Sequence, residues 1–306
     1  MYDAASLSDA PVMQRAVGEL RVSLRVRDGH TALQGLRQAG CLKARFPRPV
    51  SPGWLDVVTL NTSGGIAGGD ALASSFQVQS GAKATIASQA AERFYRASHG
   101  SLPASVTTRI QVAAGGAAEW LPQETILFDR CALNRRLQIE LAEDAWFLGV
   151  ESLVFGRAAM GETVEQASLR DLIEVRRAGR ILLHDAIRID GAVATTLSRP
   201  AIADGARAVA TLVHVSPDAE AALQPLREVL APYCTPLPPS GRGRDAAAPR
   251  VRAHPPTPNL QCGVSAWDGM LVARMLVADS TSLRTAVASA LQVLRSPRPL
   301  PRVWQC

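Results

Sequence analysis

Lysine is nearly missing from this chain: Lys43 and Lys83 are the only two among its 33 basic residues. The other basic positions are arginine, whose planar guanidinium suits bidentate pairing with carboxylates or phosphates. These arginines are spread among 27 acidic residues rather than gathered in one run, with a formal charge of +6 and a pI near 9.5. Such interleaving points to a solvated surface and acidic protein partners ahead of nucleic acid. Aromatics amount to only 5%, so a core has to rest on Ala, Val, Leu and Ile. The five cysteines (Cys41, Cys131, Cys234, Cys262, Cys306) are far apart and never form CxxC. That argues against a disulfide framework or a zinc ribbon and fits a reducing cytoplasm. No apolar run approaches the roughly 20 residues of a membrane helix. The start, MYDAASLSDAPVMQRAVGEL, lacks the basic opening and apolar middle of a secretory signal. A soluble, cytoplasmic chain without membrane contact is therefore expected.

What is present is strand sequence. ELRVSLRVRDG alternates apolar and polar residues with period two, as a half-buried strand does. A unit of alternation, short Gly or Asp turn and resumed alternation then recurs as LRVRDGHTAL, FQVQSGAKATI, IQVAAGGAAEW, IELAEDAWFL and IEVRRAGRILL. Gly and Asp tolerate the positive φ of tight turns, so five successive hairpins are expected. The uneven spacing argues against a strict solenoid. The fold class is mainly β, as stacked short strands in an irregular β-helix-like or sandwich winding, with two C-terminal helical segments.

The first helical segment, SPDAEAALQPLREVLAPY, offers Ser216 as N-cap and Pro217 at its first position, with Pro225 kinking or restarting it. The second, STSLRTAVASALQVLRSP, puts Leu283, Ala286, Val287, Ala290, Leu291 and Leu294 on one face and leaves Arg284, Gln292 and Arg295 outward. Between them, residues 235–258 are dense in Pro, Gly and Arg and read as a mobile loop. Residues 1–18 read as a flexible tail, and 1–306 as one domain.

The loop NTSGGIAGGDAL (61–72) invites three chemical readings. A phosphate cradle needs a Lys-Ser/Thr pair and a helix after its glycines, but Gly69 is followed by Asp70 and a strand-like ALASSFQVQ. A metal cage needs several donors, yet the histidines (His30, His99, His184, His214, His254) form no HxH or HxxxH pair. That leaves a weak contact at Asp70, or an Asp70 that caps its own turn. NTSGG is not a nucleophile elbow, so a hydrolase would need a scattered triad.

These words, in this order, resemble the urease accessory protein UreD (UreH) family. The matching pieces are NTSGGIAGGD (61–70), SQAAERFYRA (88–97), EWLPQETILFD (119–129), GRAAMGE (156–162), EVRRAGRILLHD (174–185), DGMLVARMLVADS (268–280) and LPRVWQ (300–305). Glu92-Arg93 departs from the basic residue common before the aromatic-Tyr-Arg step. The resemblance implies a maturation scaffold rather than an enzyme. It would bind apo-urease and the partner UreF, and through UreF the nickel-carrying GTPase UreG, assisting assembly of urease's dinickel centre. No cofactor is expected to be held tightly; Ni²⁺ would pass in transit, touching Asp70 and Glu174. Motif and interaction candidates are Gly64, Gly65, Gly68, Gly69, Gln89, Glu92, Tyr95, Arg96, Glu119, Gln123, Glu124, Arg157, Glu162 and Trp304. Trp304 is read first as a core residue, second as a partner anchor. A basic nucleic-acid-binding β protein and a scattered-triad hydrolase are the competing readings.

Overall fold

The computed structural model describes residues 14–157, 160–234 and 260–305. Strand β1 (Val17–Arg27) and strand β2 (His30–Gly40) form an antiparallel hairpin in a first sheet. The chain then enters a second sheet through β3 (Leu42–Arg45) and β4 (Leu55–Asn61). From there it winds. Strand β5 (Ala71–Val78) lies in the first sheet and β6 (Lys83–Ser88) in the second. The crossing repeats with β8 (Ala104–Val112) to β9 (Ala117–Leu121), and with β11 (Ala132–Leu141) to β12 (Trp146–Phe155). Two short strands, β7 (Glu92–Phe94) and β10 (Thr125–Leu127), run parallel to each other on the return path.

Each coil stacks on the one before. Strands β5, β8 and β11 are parallel neighbours, as are β4, β6, β9 and β12. Hairpin β13 (Gln166–Arg177)–β14 (Arg180–Ala192) closes the first sheet. Strands β15 (Ala208–Val215), β16 (Gln261–Trp267) and β17 (Met270–Val277) extend the second antiparallel to β12 and to one another. The helices are α1 (Val193–Leu197), α2 (Leu223–Leu230) and α3 (Ser280–Arg295).

Burial explains the two strand textures. The first sheet packs one face on the second and leaves the other open, so β1 alternates with Leu20, Val22 and Leu24 inward. The second sheet is covered twice, by the first sheet and by α2, α3 and the C-terminal segment. Its central strands are correspondingly buried nearly end to end, as in AAEWL of β9 and WFLGVESLVF of β12.

The mainly β class with helix-like winding is therefore what the chain adopts, and several local expectations need correcting. Of the five recurring units, only the first and last are hairpins. The middle three carry the chain from one sheet to the other. Their turns stack: Gly81 N donates to Ala114 O, Ala117 N to Ala82 O and Trp146 N to Gly116 O. A Cβ on Gly116 would sit 2.8 Å from Ala113 O, so that turn has no room for a side chain. Cys234 and Cys262 form a disulfide, against the thiol reading. Ser216 does not cap α2: its hydroxyl donates to Asp218 Oδ1 at 2.8 Å, and a 3-10 turn over Ala219–Ala222 precedes the helix. Pro225 sits in the first turn of α2, where the lost N–H has no helical acceptor to miss. Helix α3 is capped by Asp279, which accepts from Ser282 N at 2.8 Å. Arg295 turns inward rather than outward, for a reason given below, while Gln292 is exposed. The expected loop at 235–258 lies outside the described residues. So do residues 1–13 of the expected tail, whereas Val17 and Gly18 already belong to β1.

Candidate functional site

Between the two sheets lies a cavity of about 280 Å³. The glycine loop after β4 and the turn before β7 form its exposed rim, at Gly64, Gln89 and Ala90. Its deep end is formed by Thr108, Trp120, Arg135 and Glu151, all buried. Gly65, at φ +140°, lets the loop pass Tyr95; a Cβ there would lie 2.3 Å from the Tyr95 ring. The Tyr95 hydroxyl in turn donates to Gly64 O at 3.2 Å.

Polar side chains share the lining of this cavity with the aliphatic and aromatic residues of the core. Glu92 reaches into the cavity from β7 and accepts from Asn61 Nδ2 at 3.1 Å. Burial pushes its carboxyl above the usual range, against that hydrogen bond. Farther in, Arg135 binds Asp171 with both arms, Nε to Oδ1 at 2.8 Å and Nη2 to Oδ2 at 2.6 Å. Its Nη1 lies 2.7 Å from Glu151 Oε2 and donates to Thr125 Oγ1 at 2.8 Å. Trp120 Nε1 donates to the second Glu151 oxygen at 2.7 Å. Burial raises the Glu151 carboxyl, with Arg135 opposing. Burial also works against the charge on Arg135, but Asp171 and Glu151 outweigh it and its pKa is raised. Beyond this triad, Glu151, Asp171, Asp185 and Thr211 line a second cavity of about 10 Å³, room for about one water molecule. Asp185 pairs with Arg274, which is half exposed on β17. Glu151 borders both cavities, so a lane of charged and hydroxyl groups leads from the glycine rim toward Asp185 on β14, the edge strand of the first sheet.

Sequence parity could have revealed these groups. Arg135 shares the inward phase of Leu133, Leu137 and Ile139 on β11, and Asp171 that of Leu169 and Ile173 on β13. Glu151 interrupts an almost wholly apolar strand. A charge on the buried phase requires partners.

The motif residues fall into three groups. Gly64, Gly65, Gln89 and Glu92 come together at the cavity. Tyr95, Arg157 and Glu162 gather around Phe128: the Tyr95 and Phe128 rings are 5.1 Å apart, Arg157 stacks 4.6 Å over Phe128, and Arg157 Nε is 2.9 Å from Glu162 Oε2. Arg96 is exposed, bridging to Cys131 through its backbone. The third group anchors the C-terminus. Fully buried Glu119 accepts from Arg295 Nε at 2.9 Å and Thr85 Oγ1 at 2.7 Å, with Arg298 Nη1 2.6 Å away. This carboxylate is why Arg295 points inward. Gln123 donates to Val303 O at 2.7 Å, Arg284 pairs with Glu124 at 3.1 Å, and Trp304 Nε1 donates to Leu121 O at 3.0 Å. Trp304 is thus a core residue, and EWLPQETILFD is a seat for α3 rather than an exposed docking word.

Asp70 and Glu174 stand apart from the cavity. Asp70 Oδ1 accepts from Ala16 N and Oδ2 from Ala67 N, both at 2.8 Å, which is the geometry of a turn carboxylate. Gly68 and Gly69 complete that turn; a Cβ on Gly68 would meet Ser101 Oγ at 2.5 Å, and Gly69 has φ +86°. Glu174 lies on the outer face of the first sheet between Arg176, at 3.0 Å, and His184, at 3.3 Å. Its hydrogen bond to Arg176 holds the carboxyl below the usual range.

Among the described residues no group of three or more His, Cys, Asp or Glu side chains is placed to hold a metal ion. None of their helices is long and apolar enough to cross a membrane. The class defined here is a wound β scaffold with a polar interior lane and a helix-covered back. The family model described as UreD urease accessory protein matches residues 16–305. The chain is 43% identical over 297 residues to the urease accessory protein UreD of Dinoroseobacter shibae, covering 97% of this chain and 94% of that one. It is 39% identical over 300 residues to that of Xanthobacter autotrophicus, with 98% and 93% covered. To that of Methylobacterium sp. (strain 4-46) it is 41% identical over 297 residues, with 96% of each covered. The chain belongs to the UreD urease accessory protein family.

Proposed function

We propose that this chain is a non-catalytic scaffold for urease maturation. It binds apo-urease and UreF, which brings UreG, and Ni²⁺ crosses its interior on the way to the dinickel centre. Family membership over nearly the whole chain supports the role. The observation that carries the nickel part is the lane from the Gly64 rim through Glu92 to Glu151, Asp171 and Asp185.

A divalent ion cannot enter an apolar interior without an enormous desolvation cost, so a route has to supply oxygens and room for water. The cavity provides both, and among the described residues no three carboxylate, His or Cys side chains are placed to hold a metal ion, so contacts would be weak and reversible. The transit contacts in this reading are Glu92 and Glu151, replacing Asp70 and Glu174, which face elsewhere. Arg135 stands across the lane as a cation, and its two carboxylate partners would have to release it in turn for an ion to pass. The test is complementation of urease-expressing cells that lack this chain. Restored activity, together with co-purification of the chain with apo-urease and UreF, is expected. Full urease activation without the chain would refute the assignment.

A further inference from the structure

Six of the arginines scattered through the sequence line up on one surface. On the open face of the first sheet, Arg37 pairs across strands with Arg21, Arg21 with Ser75, and Ser75 with Arg109. From there the line steps obliquely. Arg109 is opposite Gln138, two residues beyond Arg136; Arg136 is two residues beyond Asn134, which is opposite Arg170; and Arg170 is opposite Arg188. Six exposed arginines therefore cross all seven strands, roughly 29 Å at about 4.8 Å per strand.

Their compensation is uneven. Glu19 alone serves Arg21 and Arg37, at 2.6 and 2.8 Å. Arg109, Arg136, Arg170 and Arg188 make no ion pair among the described residues; Arg109 donates to Gln138 instead, at 3.0 Å. Glu140 and Glu174 lie beside Arg176. Arg170 and Arg188 face each other directly in register, a like-charge pair that disfavours the sheet. Folding does not require it, and the same face is left uncovered while the second sheet is covered twice.

We propose that this face docks an acidic protein surface, with Arg136, Arg170 and Arg188 as its principal anchors. The inference rests on the scaffold reading but not on the nickel route. A folded protein suits the face better than nucleic acid for three reasons. The face carries no Phe, Tyr or Trp for base stacking. Ala73, Thr107, Leu172 and Ala186 share one register row with Arg136, giving the stripe close-contact ground. Arginine rather than lysine is the cation enriched in protein interfaces.

The test compares wild type, R136S/R170S/R188S and R136K/R170K/R188K, using purified apo-urease and UreF as separate probes, with duplex DNA and anionic phosphatidylserine vesicles as controls. The serine variant should keep its fold, with a Tm equal to or above wild type because the opposed pair is gone. It should bind one protein probe at least 10-fold more weakly, with a shallower salt dependence, and the lysine variant should recover much of the loss. Unchanged binding of both protein probes by the serine variant overturns the proposal and leaves the scaffold reading intact. Loss of DNA or vesicle retention alone assigns the face to those ligands and overturns it too. A wild type that binds neither protein probe overturns the scaffold reading along with it.

Discussion

Replacing Arg135 with methionine is the sharpest structural perturbation this interior allows. The Arg135 side chain is 9% exposed and holds the carboxylates of two side chains that are 8% and 5% exposed. Methionine keeps much of the stem's volume but leaves Glu151 and Asp171 buried, unpaired and one guanidinium's width apart. Removing one partner of a buried pair costs about 3–5 kcal/mol. The two stranded carboxylates would in addition repel each other unless one protonates, at about 1.4 kcal/mol per pKa unit. We expect a loss of about 4 kcal/mol at pH 7.5, a large part of the 5–15 kcal/mol typical of a folded domain. Urea denaturation followed by tryptophan fluorescence measures it, Trp120 being bonded to Glu151. The sign with pH follows from the burial-raised Glu151. A carboxyl whose folded pKa is raised favours the fold below its unfolded value and loses that contribution as pH rises through the folded one. The deficit of R135M should therefore shrink toward pH 5. The triple variant R135M/E151Q/D171N should return to within about 2 kcal/mol of wild type, because neutral groups replace the stranded charges. A loss below about 1 kcal/mol for R135M at pH 7.5 would refute the view that Arg135 holds the two buried carboxylates in place.

Two further outcomes follow from single carboxylates. Asp70→Ala orphans two backbone amides, at about 1–3 kcal/mol each when buried; we expect a loss of about 2–3 kcal/mol in urea, with nickel incorporation per folded molecule unchanged. A fully stable Asp70→Ala with impaired nickel incorporation would restore Asp70 to the route. Glu92 has a burial-raised pKa, so wild type should lose stability as pH rises through that value. Glu92→Gln, which keeps an acceptor for Asn61, should have a higher Tm than wild type at pH 8 and the same Tm below pH 4.5; a Tm difference that does not vary with pH would contradict this.

The hairpins at Asp28-Gly29 and Ala178-Gly179 and the apolar face of α3 were legible because each is written in residues close together in sequence. The three sheet-crossing turns were not. Their Gly and Asp chemistry is the same as a hairpin's, and what differs is which distant strand each arm pairs with. The same non-locality hid the arginine stripe, since Arg109, Arg136 and Arg170 meet only through parallel registers between strands about 30 residues apart. The glycine loop and Glu92 stood out as motif words, but nothing local in sequence says that they border a cavity. Its deep end was overlooked although Arg135 and Asp171 sit on the buried phase of their strands. Arg295 was misplaced because a helical wheel has no knowledge of Glu119, which arrives from β9.

The route through the interior is tested most directly by filling it. Ser74 lines the cavity opposite Thr108, away from the arginine face, and Ser74→Phe would place a ring in the lane without removing a charge. The measurement is nickel per urease active site in cells carrying this variant in place of wild type. It is read beside a pull-down showing that the variant still binds apo-urease and UreF. The account predicts intact assembly with urease largely free of nickel; normal nickel loading by a variant whose cavity is shown to be filled would contradict it.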